Sequence, residues 1–139
     1  METKILTFGE GVVEVTIIDN IIYMKTLKLY TDEMAMEMTR YLDKIIDLIP
    51  SNLIRIWDSS NLPVECFKLT NQCVETVVRW SQGVKERSPD SRVYFIAQEP
   101  LIFGISRMYE LQTNAETMNV TVLNSIDELP DDIRTKLPI

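Results

Sequence analysis

The apolar residues of this chain change their spacing at Thr31, and that change limits the folds open to it. Before Thr31 they alternate. Val13, Val15 and Ile17 are separated by Glu14 and Thr16, and Ile21 to Leu27 is again rich in strand-favouring residues. Between the two runs stands Asp19-Asn20, a pair that tolerates positive φ and suits a two-residue hairpin turn. Lys4 to Phe8 alternates more weakly and is expected as a first strand, closed by Gly9-Glu10-Gly11. From Thr31 onward the period is helical: Thr31 can cap, Asp32 and Glu33 suit a positive first turn, and Met34, Met38, Tyr41, Ile45 and Ile49 trace one face. Pro50 is expected to end that helix.

The rest of the chain alternates between the two periods. Asn52 to Trp57 reads as a strand that runs into the polar loop Asp58-Ser59-Ser60-Asn61-Leu62-Pro63, with Pro63 placed to open a long helix ending near Ser88-Pro89-Asp90. Arg92 to Ala97 is the most strand-like segment of all, and Gln98-Glu99-Pro100 then starts a helix expected to reach about Ala115. Asn119 to Leu123 is another strand. A last amphipathic segment carries Ile126, Leu129, Ile133 and Leu137, with Ser125 and Glu128 spaced as a capping box and Pro130 shortening or kinking it. The order β-β-β-α-β-α-β-α-β-α predicts an α/β fold: a mixed β-sheet with an N-terminal antiparallel hairpin, parallel βα crossovers, and helices packed on the sheet. Its 139 residues, 45% apolar, contain no repeat or linker, so residues 1–139 are expected to form a single domain with one good core.

Charge and composition then exclude whole classes of chemistry. A net charge of −7 and an isoelectric point near 4.6 argue against nucleic acid or an anionic membrane surface, both of which need a dense basic patch. No run of about 20 apolar residues occurs, so no membrane insertion is expected, and the start of the chain does not resemble a signal peptide. A cytoplasmic location follows as an expectation. The chain contains no histidine, which removes Ser-His-Asp and Cys-His catalysis, HExxH zinc sites and any other His-ligated metal. Its four glycines form neither a P-loop nor a dinucleotide fingerprint. The carboxylates fall at helix first turns and exposed helix positions, where the helix dipole and solvent account for them. No catalytic residue, metal or cofactor is expected.

Cys66 and Cys73 fall within the segment read as the long helix, about 10.5 Å of rise apart, beyond disulfide reach. They share the stripe Cys66, Leu69, Cys73, Val77, Trp80 and Val84, and are expected as packed structural thiols.

Two constellations remain as candidate sites. Asp58-Ser59-Ser60-Asn61 lies at the C-terminal end of a presumed parallel strand, where open α/β sheets bind ligands. Free helix N–H groups there would favour an anion, or a phosphate placed on Ser59 or Ser60. The same residues also satisfy an ordinary turn and cap. The second is Gly104-Ile105-Ser106-Arg107-Met108-Tyr109-Glu110. Gly104 costs about 1 kcal/mol against Ala inside a helix, which points to packing or close approach, and Arg107 can reach an anion or a partner carboxylate. Ile105, Met108 and Leu111 are expected to face the core, with Tyr109 at the rim.

With these pieces in place the chain resembles the STAS/SpoIIAA-like families, the first named for sulfate transporters and anti-sigma factor antagonists. The resemblance covers nearly the whole chain. It rests on the N-terminal hairpin, the strand leading into Asp58-Ser59-Ser60, and the segment Gly104 to Glu110, which looks like a stretch of small stand-alone bacterial members. It implies a regulatory or protein-interaction domain without catalytic activity and, from anti-sigma antagonists, a phosphorylated serine within Asp-Ser-Ser-Gly. Asp58, Ser59 and Ser60 match that motif, whereas Asn61 stands where it has glycine. A protein partner is therefore the leading expectation, with a second copy pairing along the N-terminal edge strand as one form of it. The competing class is a binder of a small apolar or anionic ligand such as a lipid or metabolite, with its pocket beneath the helix carrying Met34, Met36 and Met38.

Overall fold

A computed structural model describes residues 2–48, 52–112 and 119–138. The expected hairpin is present. Strand β1 (Glu2–Phe8) pairs antiparallel with β2 (Gly11–Ile18), and β2 pairs antiparallel with β3 (Ile21–Thr26). Ile18 faces Ile21 across the tight turn, and Asp19 takes the positive φ of 52° that its short polar side chain tolerates.

Two residues, Tyr30–Thr31 (β4), lead into helix α1 (Asp32–Ile45), where the Thr31 hydroxyl accepts from the Met34 N–H at 3.4 Å. Strand β5 (Ile54–Asp58) follows, then β6 (Phe67–Lys68), helix α2 (Asn71–Arg87), strand β7 (Arg92–Ile96), helix α3 (Pro100–Gln112) and strand β8 (Val120–Leu123). A 3-10 turn at Ile126–Glu128 and the short helix α4 (Asp131–Arg134) end the described chain. Ile49 and Pro50, read as the end of the first helix, and Ala115, read as the end of the third, lie outside the described residues.

The main sheet has the order β1-β2-β3-β5-β7-β8, with β3, β5, β7 and β8 parallel. This is the mixed α/β architecture that the two periods predict. Because strand order follows chain order, crossovers of one hand place α1, α2 and α3 on the same face. Side-chain alternation along the strands agrees. Ile22, Met24 and Leu53 pack with Met34, Met38, Leu42, Val84 and Ile102 on this front face, while Ile21, Tyr23, Ile54, Ile56, Tyr94 and Ile96 point to the back. The back is covered by the C-terminal segment through Leu129, Ile133 and Leu137.

Several local expectations need correction. The long helix does not open at Pro63. Pro63 precedes a 3-10 turn at Val64–Cys66, and α2 begins only at Asn71, capped by the Thr70 hydroxyl that accepts from the Cys73 N–H at 3.2 Å. Phe67–Lys68 instead pairs in parallel with Tyr30–Thr31, a two-stranded ladder with no strong periodic signal at two residues a side. Cys66 therefore lies in the 3-10 turn before α2 and not on the long helix, although both thiols are free. Burial, then the Asp32 carboxylate beside it, pushes the Cys73 thiol up to about 11, so it remains protonated and unreactive.

In the methionine helix Met34 and Met38 are fully buried core residues, and an added Cβ at Gly11 would strike the Met34 side chain. The capping box is also altered. Ser125 caps by accepting from the Asp127 N–H at 3.2 Å, but Glu128 accepts from the N–H of Asn124 at 2.8 Å, not from that of Ser125.

Candidate functional site

Parallel strands β3, β5 and β7 end side by side, and the chain leaves each of them on the same edge of the sheet. A cleft of about 60 Å³ opens there on the front face. Thr26, Trp57 and Phe95 bound it from the strand ends, and Tyr30 and Phe67 close one side from the small ladder. The rings of Tyr30 and Phe67 stack at 6.2 Å, and those of Trp57 and Phe95 at 6.4 Å. Helices α2 and α3 supply Val77, Ile105, Ser106 and Tyr109.

The ladder is held over the cleft by two bonds from one carboxylate. Asp32 Oδ1 accepts from the Thr70 N–H at 2.9 Å and Oδ2 from the Thr70 hydroxyl at 2.7 Å. One side chain in the first turn of α1 thus anchors the segment that precedes α2.

The first candidate constellation divides at the strand end. Ser59 lines the cleft, while Asp58, one residue earlier, points to the back of the sheet and is 2% exposed. Its Oδ2 accepts from the Tyr23 hydroxyl, and its Oδ1 accepts from both the N–H (2.9 Å) and the hydroxyl (2.6 Å) of Ser60. Burial, followed by this bond, pushes the Tyr23 phenol well above its ordinary range. Asp58 is thus a buried carboxylate, against the expectation that all carboxylates are explained by exposure. Asn61 is exposed, and the Leu62 N–H donates back to the Ser59 carbonyl at 3.1 Å to close the turn.

The second constellation faces differently from the expectation. Tyr109 is buried at 5% exposure rather than lying at the rim, and its ring meets Phe95 edge-on at 4.8 Å. Leu111, expected in the core, is 74% exposed. Gly104 lies on the outer surface, where an added Cβ would meet nothing, so no close approach within the chain accounts for it. Arg107 is exposed and pairs with Glu110 on its own helix. Of the residues singled out from sequence, the fold brings Ser59 and Tyr109 to one cleft and leaves Asp58, Ser60, Asn61, Gly104 and Arg107 outside its lining.

Behind Tyr109 lies a group that sequence reading missed. The Tyr109 hydroxyl shares a hydrogen bond with Ser81, and the Arg55 guanidinium donates to the same Ser81 hydroxyl at 3.4 Å. Arg55 is 1% exposed, stacks over the Trp80 ring at 5.1 Å, and has no carboxylate partner and no partner for its Nε among the described residues. Burial lowers its affinity for the proton. The cleft is therefore an apolar cup whose Tyr109 wall is held from behind by the Ser81 hydroxyl and, through it, one buried guanidinium.

Among the described residues no group of three Cys, Asp or Glu side chains could hold a metal, and no helix is long and apolar enough to cross a membrane. No protein-family model, curated protein or solved structure matches the chain. The likeness to the STAS/SpoIIAA-like families stands on the sequence features alone.

Proposed function

We propose that this chain is a non-catalytic interaction domain, of the kind its likeness to the STAS/SpoIIAA-like families implies, that takes one apolar side chain of a protein partner into the cleft beside Ser59. The observation that carries this reading is the size and lining of the cleft, about 60 Å³ walled almost entirely by aromatic and aliphatic groups. Sites for lipids and drug-sized ligands run to roughly 300–1,000 Å³, whereas a single buried anchor often carries much of the energy of a protein interface. Next to the cleft, Leu27, Lys28, Pro63 and Cys66 border an open groove of about 510 Å³, a shallow surface suited to the residues flanking an anchor rather than to enclosing a small molecule.

Ser59 is the better candidate for regulation. A phosphate there would set a charge of roughly −2 at the rim of an apolar cup and oppose entry of the anchor. Ser60 is the poorer acceptor, because its hydroxyl already donates to the buried Asp58 carboxylate, which would repel a phosphate.

Selection of peptides from a random library on the purified domain tests the proposal. Bound peptides should share one apolar residue at a constant position, Val77→Phe should abolish their binding by filling the cleft, and Ser59→Glu should weaken it about tenfold. Peptides with no shared apolar position, or with affinity indifferent to both substitutions, would sink the reading. A stoichiometric small molecule retained in native mass spectrometry would replace it with the ligand-binding alternative.

A further inference from the structure

Five hydroxyl-bearing side chains line the cleft, and the fold accounts for only two of them. The Ser106 hydroxyl donates to the Ile102 carbonyl at 2.9 Å, and that of Tyr109 shares its bond with Ser81. The hydroxyls of Thr26, Tyr30 and Ser59 have no hydrogen-bond partner among the described residues. For two of the three this is unusual, because Thr26 is 4% and Tyr30 7% exposed, and buried hydroxyls are normally paired. Neither is sealed in the core. Among the described residues Arg55 Nε is the one fully enclosed side-chain polar atom without a partner, so the Thr26 and Tyr30 hydroxyls open onto the cleft they line.

The strands bring these groups together. Thr26 follows Met24 on the front face of β3, and Ser59 follows Trp57 on the front face of β5. Lys25 is level with Asp58, so Thr26 and Ser59, one residue on, stand side by side at about the 5 Å spacing of neighbouring strands. Tyr30 joins them from the small ladder. Burial pushes its phenol well above the ordinary range, which keeps it a neutral donor.

The lining specifies what fits. An occupant without a polar atom would shut water out and leave these hydroxyls unpaired, whereas one with its own hydroxyl would pair with them. No lining residue is charged, so a carboxylate or ammonium would be buried without a counter-charge. The remaining surface is largely aromatic, with Trp57, Phe67 and Phe95 offering ring faces and edges. The volume of about 60 Å³ equals room for about four to six waters, the scale of one six-membered ring. Among side chains, tyrosine joins a single aromatic ring to a neutral group that both donates and accepts; tryptophan carries two rings and only donates.

We infer that the anchor received by the cleft is a tyrosine of the partner, its ring between the aromatic walls and its hydroxyl among those of Thr26, Tyr30 and Ser59. This rests on the reading of the cleft as an anchor site and names the side chain that site selects.

Titration of the full chain with N-acetyl-tyrosinamide, N-acetyl-phenylalaninamide and p-cresol, followed through amide chemical shifts in NMR spectra, tests it. The tyrosine amide should bind at the cleft at least about tenfold more tightly than the phenylalanine amide, and p-cresol should shift the same residues. Thr26→Val and Tyr30→Phe each delete one hydroxyl at nearly constant shape, and each should cut that preference at least about threefold. Because the preference is a ratio measured within one variant, a loss of stability alone does not move it. Equal binding of the two amides overturns the inference and leaves the cleft a site for an apolar anchor, whereas binding of neither amide there overturns both. A preference that survives both substitutions, or p-cresol binding where the tyrosine amide does not, also overturns the inference, the latter in favour of a free phenol.

Discussion

Arg55 holds a full positive charge out of water with a stacked ring and one long hydrogen bond for company. Desolvating a guanidinium costs several kcal/mol, and neutral neighbours offset that less well than a carboxylate would. Arg55→Met, which keeps most of the volume, should therefore leave stability in urea unchanged or raise it by about 1 kcal/mol. A loss greater than about 2 kcal/mol would show that the Trp80 stack and the Ser81 bond outweigh the desolvation. Part of this was legible in advance: positions 53, 55 and 57 share one face of a strand, and Leu53 and Trp57 mark that face as inward. What could not be read was the identity of the groups that meet the charge, because Trp80, Ser81 and Tyr109 come from two helices distant in sequence. Ser59 and Asp58 show the same limit. Their loop was recognisable, but strand alternation alone sends one residue to the cleft and the other to the back of the sheet.

The elements themselves were easier to read than their faces and boundaries. Hairpin, helices and parallel strands follow from period and capping, and Thr31 caps as expected. The start of α2 was misread because Cys66 and Leu69 happen to extend its apolar spacing backwards; the Thr70 cap is a local signal that was passed over, while the ladder to Tyr30–Thr31 depends on residues far away. The face of α3 was misread for a different reason: it is apolar nearly all round, so periodicity could not tell its buried side from its exposed one. The role of Asp32 belongs at this scale, since one carboxylate joins the start of α1 to the segment before α2. Asp32→Ala should raise amide hydrogen exchange across Phe67–Cys73 by at least about tenfold, leaving β3, β5 and β7 protected. Equal loss of protection throughout the sheet would mean that Asp32 stabilises the whole fold instead of this strap.

At the scale of the molecule, the two faces of the sheet are covered unequally. Three helices protect the front, whereas the back depends on a 3-10 turn, a four-residue helix and the few apolar side chains they carry. A chain ending at Asn124 would bare Ile21, Tyr23, Ile54, Ile56, Tyr94 and Ile96 together. Burying such side chains contributes roughly 1.5–3 kcal/mol each, enough in sum to exceed the usual margin of a domain this size. That truncated chain should lose its cooperative thermal transition and bind the dye ANS; a sharp transition near that of the whole chain would show that the back face needs no cover.

Strand order has a consequence for how the protein is made. From β1 to β8 the strands lie across the main sheet in the order in which a ribosome produces them, so each newly emerged strand finds a finished edge to join. The C-terminal segment is the exception, because it settles on strands completed long before it. A nascent chain therefore carries a bare apolar back until Leu137 has left the exit tunnel, and in that interval it is a natural client for chaperones.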